Sequence, residues 1–338
     1  MPRFSGGRGF DPARAGEGTI FADAVAQYAE QTADPRVAAV AARVTAAIRV
    51  GVAGRPGVGV TTVAAALAGA GIPVCGPEQA DVYIRVIAEV LKPEDLTALP
   101  ASIPALVVLT KADLAGDGTA LADADRRAAR FAAVAGVPVE PMIGLLARAA
   151  LEPDDVEALR VLVGAPADMT STDAFVTGPH ALTPQTRRRL LDRVDRFGLA
   201  HAVLAVASGA GPEAVARRLR DLSRLDRVLA RLTAVAAPVR YRRVRAALHE
   251  LHTLAAQRQD DALFRWLTGD DVVLSVMAAA VDVVAAAGLT VDPADDPEAH
   301  LRRAVAWQRY GRGPVTPMHR RCAADITRGS LRLLERTR

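Results

Sequence analysis

The pattern of apolar and polar positions changes character along the chain. From 21 to 47, FADAVAQYAEQTADPRVAAVAARVTAA, apolar residues recur at helical spacing with one interruption at Pro35, which predicts two short helices. From 48 the apolar residues gather into short runs: IRVGVA (48–53), IPVC (72–75), VYIRVIA (82–88), PALVVL (104–109) and VPVEPM (137–142). Runs this short and this apolar suit strands buried on both faces. Helical segments lie between or after them, near 93–99, 119–135 and 152–163. Strands alternating with helices predict a parallel sheet joined by right-handed crossovers.

Residues 164–182, GAPADMTSTDAFVTGPHAL, are rich in Gly, Pro, Ser and Thr and read as a linker. Beyond it no run has strand character. Thr183-Pro184 is a helix start, with Thr as N-cap and Pro in the first turn. Amphipathic stretches follow at 184–206, 211–235, 238–268, 270–287, 297–311 and 315–337, which predict an all-α region. The most apolar of them, Val272 to Leu289, is interrupted by Asp282 and Gly288 and reads as a buried helix rather than a membrane span. The resulting division is a flexible tail at 1–19, N-terminal helices at 20–47 that pack with the C-terminal helices, an α/β domain at 48–165, a linker at 166–182 and an all-α domain at 183–338.

Composition supports a globular chain of about two domains. Of 338 residues, 51% are apolar and only 4% aromatic, so the core is built from Ala, Val and Leu. Two cysteines, Cys75 and Cys322, lie far apart, which excludes a disulfide scaffold or a cysteine-based zinc site. The N-terminus has no apolar run, so no leader is expected and the location is expected to be cytoplasmic. The net charge of +4 conceals an acidic first half and a basic second half. The basic clusters Arg187-Arg188-Arg189, Arg217-Arg218 and Arg242-Arg243-Val244-Arg245 suit solvated helix faces, or an anionic membrane or acidic partner. Scarce aromatics argue against nucleic acid. Lys92 and Lys111 are the only lysines.

The first chemical signal is the segment after the first strand, Gly54-Arg55-Pro56-Gly57-Val58-Gly59-Val60-Thr61-Thr62. Its glycines match G-x-x-x-x-G-K-[ST], in which main-chain N–H groups turn around a phosphate at a helix N-terminus. Thr61 is placed to hold Mg²⁺. The lysine is absent, with Val60 in its position, and losing one such donor costs roughly 3–4 kcal/mol of barrier. The second signal is Thr110-Lys111-Ala112-Asp113 at the end of an apolar strand. It resembles the [NT]-K-x-D motif of P-loop GTPases. Its carboxylate accepts both N1–H and N2–H₂ of guanine, and its lysine stem lies over the base. The third is Ile143-Gly144-Leu145, which resembles the GTPase loop whose Ser-Ala pair offers main-chain N–H groups to the guanine oxygen; Ile143-Gly144 stands in that place, and Gly144 and Leu145 are the candidate site residues. A plain strand-to-helix turn explains this third segment equally well. The interval from Thr61 to Asp81 is too short for the two switch regions. Asp81 is expected to be the only aspartate near the phosphates, and it is followed by Val-Tyr-Ile, so no D-x-x-G is present.

With these motifs the chain resembles bacterial dynamin-like and related P-loop GTPases of the actinobacterial kind. The resemblance is best over 48–165 and looser over the flanks. It implies an α/β P-loop NTPase-like parallel sheet domain plus an all-α helical domain, GTP or GDP with Mg²⁺ as ligands, and helices before and after the G domain packed as a bundle. It also implies a protein partner, such as a complete GTPase subunit, or peripheral contact with an anionic inner-membrane face. Val60, the missing switch threonine and the missing D-x-x-G point to descent and guanine preference more than catalysis, so no catalytic residue is assigned. Two alternatives stand beside this: a nucleotide-free scaffold, and an active GTPase completed by a partner. His249-Glu250-Leu251-His252 has i, i+3 rather than i, i+4 histidines and does not suit zinc. Ala294-Asp295-Asp296-Pro297 reads as a helix cap.

Overall fold

The computed structural model describes residues 20–114 and 120–337. The tail expected at 1–19 lies outside the described residues. In chain order the elements are α1 (Ile20–Thr32), α2 (Pro35–Thr45), β1 (Val50–Gly54), α3 (Val60–Gly69), β2 (Val74–Cys75), β3 (Val82–Ala88), α4 (Pro93–Thr97), β4 (Ala105–Thr110), α5 (Ala120–Ala135), β5 (Val139–Pro141), α6 (Pro153–Gly164), α7 (Thr172–Thr177), α8 (Pro184–Ala207), α9 (Pro212–Ser223), α10 (Leu225–Arg258), α11 (Asp261–Leu267), α12 (Asp270–Ala286), α13 (Pro297–Arg312) and α14 (Pro317–Arg336). They form two compact units, 48–232 and 20–47 with 233–337.

The first unit holds a five-stranded sheet in the order β2-β1-β3-β4-β5, every pairing parallel. β3 and β4 are its centre. Every residue of β4, and all of β3 but Ala88, is buried, as uninterrupted β-branched and leucine runs dictate. This order reverses direction between β1 and β3. Ligands of open α/β sheets bind there, outside the carboxyl ends of the strands.

Two expectations are corrected in this unit. The segment read as a linker contains α7, capped by the Ser171 hydroxyl on the Ala174 amide, and it buries Phe175 and Val176 completely or nearly so. Arg187 fixes it by donating to the Phe175 and Gly178 carbonyls at 2.5 and 2.9 Å. Arg187 is therefore a buried anchor, not part of a solvated face. Helices α8 and α9 also belong to this unit rather than to an all-α domain starting at 183. Leu190, Val194, Leu199, Val215 and Leu219 share one core with Ile143, Leu146 and Leu159. Helical period shows which face is apolar, not which body it covers.

The second unit is helical. Phe21, Val25, Val37 and Val40 of α1 and α2 join Tyr241, Leu251, Val276, Met277 and Ile326 in its core. α12 is the central helix, with eleven of its residues buried. Among the described residues no helix is long and apolar enough to cross a membrane. α10 runs unbroken through Pro238, where the sequence suggests an interruption. The break lies earlier, at Arg224, whose left-handed φ of 60° ends α9.

Candidate functional site

Three segments converge at the carboxyl edge of the sheet: the Gly-rich turn after β1, the end of β4, and the loop after β5. Each is set by local chemistry. Gly54 ends β1 where a Cβ would meet the Val86 carbonyl oxygen at 2.6 Å and the Val58 and Val60 methyls at 2.9 Å. Gly57 and Gly59 take φ of +80° and +93°, a left-handed conformation that side chains resist. Gly59 is the N-cap of α3 and brings no side-chain cap, so the first-turn amides near Val60, Thr61 and Thr62 have none from it. Val58 is buried, Thr61 is exposed, and Val60 and Thr62 are half-buried.

The Thr110 hydroxyl, 5% exposed, joins turn to sheet. It lies 2.6 Å from the Val58 carbonyl oxygen and 3.0 Å from that of Ile87, donating to the pair. Lys111 follows with a left-handed φ of 54° and an exposed side chain. Asp113 sits in the short 3₁₀ turn beyond. Burial pushes its carboxyl above the usual value. The Asp195 charge pushes the same way, against its own amide and Lys111. It has no ion-pair partner among the described residues. The Lys111 charge opposes that burial without forming an ion pair.

The third segment contacts the first. A Cβ on Gly144 would come within 3.0 Å of the Thr62 methyl, and Leu145 precedes a turn at Leu146–Arg148. Here the structure adds two features that the sequence did not signal. The Ile143 amide donates to the Ser223 carbonyl at 3.0 Å, so the loop's contribution falls to Gly144 and Leu145. Gly198 of α8 presses on Leu146 so closely that a Cβ would stand 2.4 Å from a Leu146 methyl. Three residues earlier, Asp195 breaks the helical path of α8 with φ 55° and ψ 179°.

Arg55 is engaged with Asp95. Its Nε bonds both oxygens of Asp95 at 3.2 Å, and Arg85 of β3 donates to Asp95 from Nε and Nη2 at 3.1 and 2.8 Å. Asp95 is fully buried at the third position of α4 and also accepts the Lys92 amide at 3.1 Å. Burial drives its carboxyl upward, but the Lys92 amide, Arg55 and Arg85 outweigh burial and hold it below its usual value. The turn is thus clamped to the sheet through Arg55. The readable signal for Asp95 was Lys92-Pro93-Glu94-Asp95, a capped helix start with acid at N3.

Asp81 is corrected. It precedes β3, at the opposite end of the strand from the Gly-rich turn, and accepts the Arg49 amide at 2.9 Å and Arg49 Nε at 3.4 Å. It fastens the start of the sheet and lies away from the turn. Thr61 thus has no sequence-adjacent carboxylate beside it, and the described residues hold no cluster of three or more His, Cys, Asp or Glu fit for a metal ion. His249 and His252 lie on α10 in the helical unit, and Glu250 between them pairs with Arg43 at 2.5 Å. The acidic turn does cap α13, with Asp296 accepting the Ala299 amide at 2.8 Å. Set against known proteins, the chain matches no protein-family model, no curated protein and no solved structure.

Proposed function

We propose that the carboxyl edge of the sheet binds a guanine nucleotide and hydrolyses it weakly or not at all, as a degenerate relative of dynamin-like P-loop GTPases. The observation that carries this reading is the Thr110–Val58 bond of 2.6 Å. It fixes the Gly-rich turn against the strand end that bears Lys111 and Asp113, so phosphate donors and a guanine acceptor share one edge. The phosphates would meet the amides of 57–62 and the helix dipole of α3. The base would meet Asp113, the Lys111 stem and the amides at Gly144 and Leu145.

The residues suit the nucleotide better than its metal. Left-handed Gly57 and Gly59 and a carboxylate with no ion-pair partner among the described residues fit a phosphate and a purine. For Mg²⁺ the chain offers Thr61, and such an ion would take its other ligands from phosphate and water. When bound, the ion neutralises phosphate charge. Val60 adds none, and no water-positioning group follows the turn, which is why slow or absent turnover is expected. Action would then run through a protein partner, such as a complete GTPase subunit, or an anionic membrane surface met by basic helices.

Calorimetry with GDP and GTP at millimolar Mg²⁺, with chromatography of nucleotide released on denaturation, tests the reading. Heat that vanishes in Asp113→Ala is expected. No heat with either nucleotide at high protein concentration overturns it.

The scaffold reading has its own supporting observations, the Ile143 amide already spent on Ser223 and the tight Gly198–Leu146 contact. It expects a melting temperature indifferent to GDP in both wild type and Asp113→Ala.

A further inference from the structure

The helical unit contains a cavity of about 210 Å³ whose wall divides by chemistry. Leu267, Val272 and Val276 supply an apolar side, and Arg245, His252 and Arg328 a basic one. The two helices that carry much of its wall approach closely: Gly329 of α14 lies where a Cβ would be 2.3 Å from Met277 Sδ of α12. Only Gly permits that packing, and it brings the basic face of α14 over the valines of α12.

Charge around the cavity is not balanced. Asp325, 6% exposed, accepts the Tyr241 hydroxyl at 2.6 Å and Arg245 Nη1 at 3.2 Å. Burial raises its carboxyl, and Tyr241, Arg245 and Arg328 oppose that rise. Asp325 thereby shares one negative charge between the two guanidiniums. Arg328 makes no hydrogen bond or ion pair to any described residue, although it faces the same cavity. His252 is held below its usual pKa by burial, then by Arg328, Arg245 and His249. Among the arginines and carboxylates of the wall, two guanidiniums face one carboxylate, which leaves one guanidinium charge over, above an apolar floor.

We propose that this cavity is a binding site for a small organic monoanion, a carboxylate carrying a short apolar tail. The carboxylate pairs with Arg328 and reaches Arg245, and the tail lies against Val272, Val276 and Leu267. Guanidinium forks match carboxylate geometry. One surplus charge suits a carboxylate better than a phosphate dianion. An apolar cavity of roughly 150 Å³ accepts benzene, so this one takes a chain of about eight carbons.

The test is calorimetry of the intact chain without nucleotide, using octanoate, 1-octanol and inorganic phosphate as separate probes. Octanoate is expected to bind, octanol and phosphate to bind far more weakly, and Arg328→Ala to weaken octanoate about tenfold or more. Arg328 is exposed, so this variant keeps the core intact. Arg328→Lys is expected to recover part of the affinity. Absence of octanoate binding, equal affinity for octanol, preference for phosphate, or an unchanged Arg328→Ala variant each overturns the proposal.

Discussion

Asp95 of the sheet unit and Asp282 of the helical unit meet burial with opposite results. Asp95 is fully buried, yet its carboxyl is held below the usual range. Asp282 is only half-buried, yet burial pushes its carboxyl up to about 7, with the Arg240 charge too weak to restore it. Solvent exposure alone does not explain the contrast, because the less exposed group is the more acidic; Asp282 is surrounded by more of the protein, and the two carboxyls also differ in donors. Asp95 accepts one amide and two guanidiniums, whereas Asp282 has neither a hydrogen bond nor an ion pair among the described residues. A carboxylate tolerates burial when its lone pairs are filled and resists ionisation when they are not.

The largest way to break the comparison is Asp95→Ala. It strands Arg55 and Arg85 and should lower stability by about 3–5 kcal/mol in urea unfolding. A loss under about 1 kcal/mol would put Asp95 in the class of exposed pairs. The sign with pH follows from the lowered carboxyl. The contribution is complete above the unfolded carboxylate value of about 3.9 and disappears as pH falls through the folded one. Wild type should therefore lose its margin over the variant only in strong acid.

Arg55→Met is milder. Asp95 keeps Arg85 and the Lys92 amide, and one charge-assisted bond is lost, about 2 kcal/mol. Because Arg55 clamps the Gly-rich turn, the same variant should loosen GDP more than Arg49→Met at the far end of the sheet. Equal affinities in a titration would separate the clamp from the site.

Asp282→Asn should act in the opposite direction. A raised carboxyl costs stability as pH climbs from the unfolded value toward 7. The amide variant should thus be more stable at pH 8 by about 1 kcal/mol, after allowance for partial solvent contact, with little difference near pH 4. A destabilised variant at pH 8 would show that the charge has a partner. The smallest effect is Arg240→Met, which removes the one opposing cation. Carboxyl titration by NMR should then place Asp282 still higher.

The elements themselves were readable where the pattern was unambiguous. Val82–Ala88 coincides with the predicted run because seven consecutive residues with no turn signal have one structural use. α7 was hidden because Ser, Thr, Gly and Pro outnumber the pair Phe175-Val176 that pulls the segment inward. Pro238 was read as a break, but it interrupts one backbone bond in a helix long enough to absorb it. At the candidate site, the glycines and Thr110-Lys111-Ala112-Asp113 could be read locally, since each serves its own turn. The partners of Asp95, Ser223 and Gly198 could not, because each matters through a residue 40 to 80 positions distant, and spacing along a chain carries no distance in space.

The scarcity of lysine has an analytical use. Lys92 and Lys111 are both exposed, one opening α4 and one ending β4. An amine-acylating reagent therefore has two side-chain targets in the whole protein, each recoverable in its own peptide. A purine seated at the strand end would shield the second and leave the first as an internal reference, so occupancy becomes a ratio of two mass-spectrometric signals.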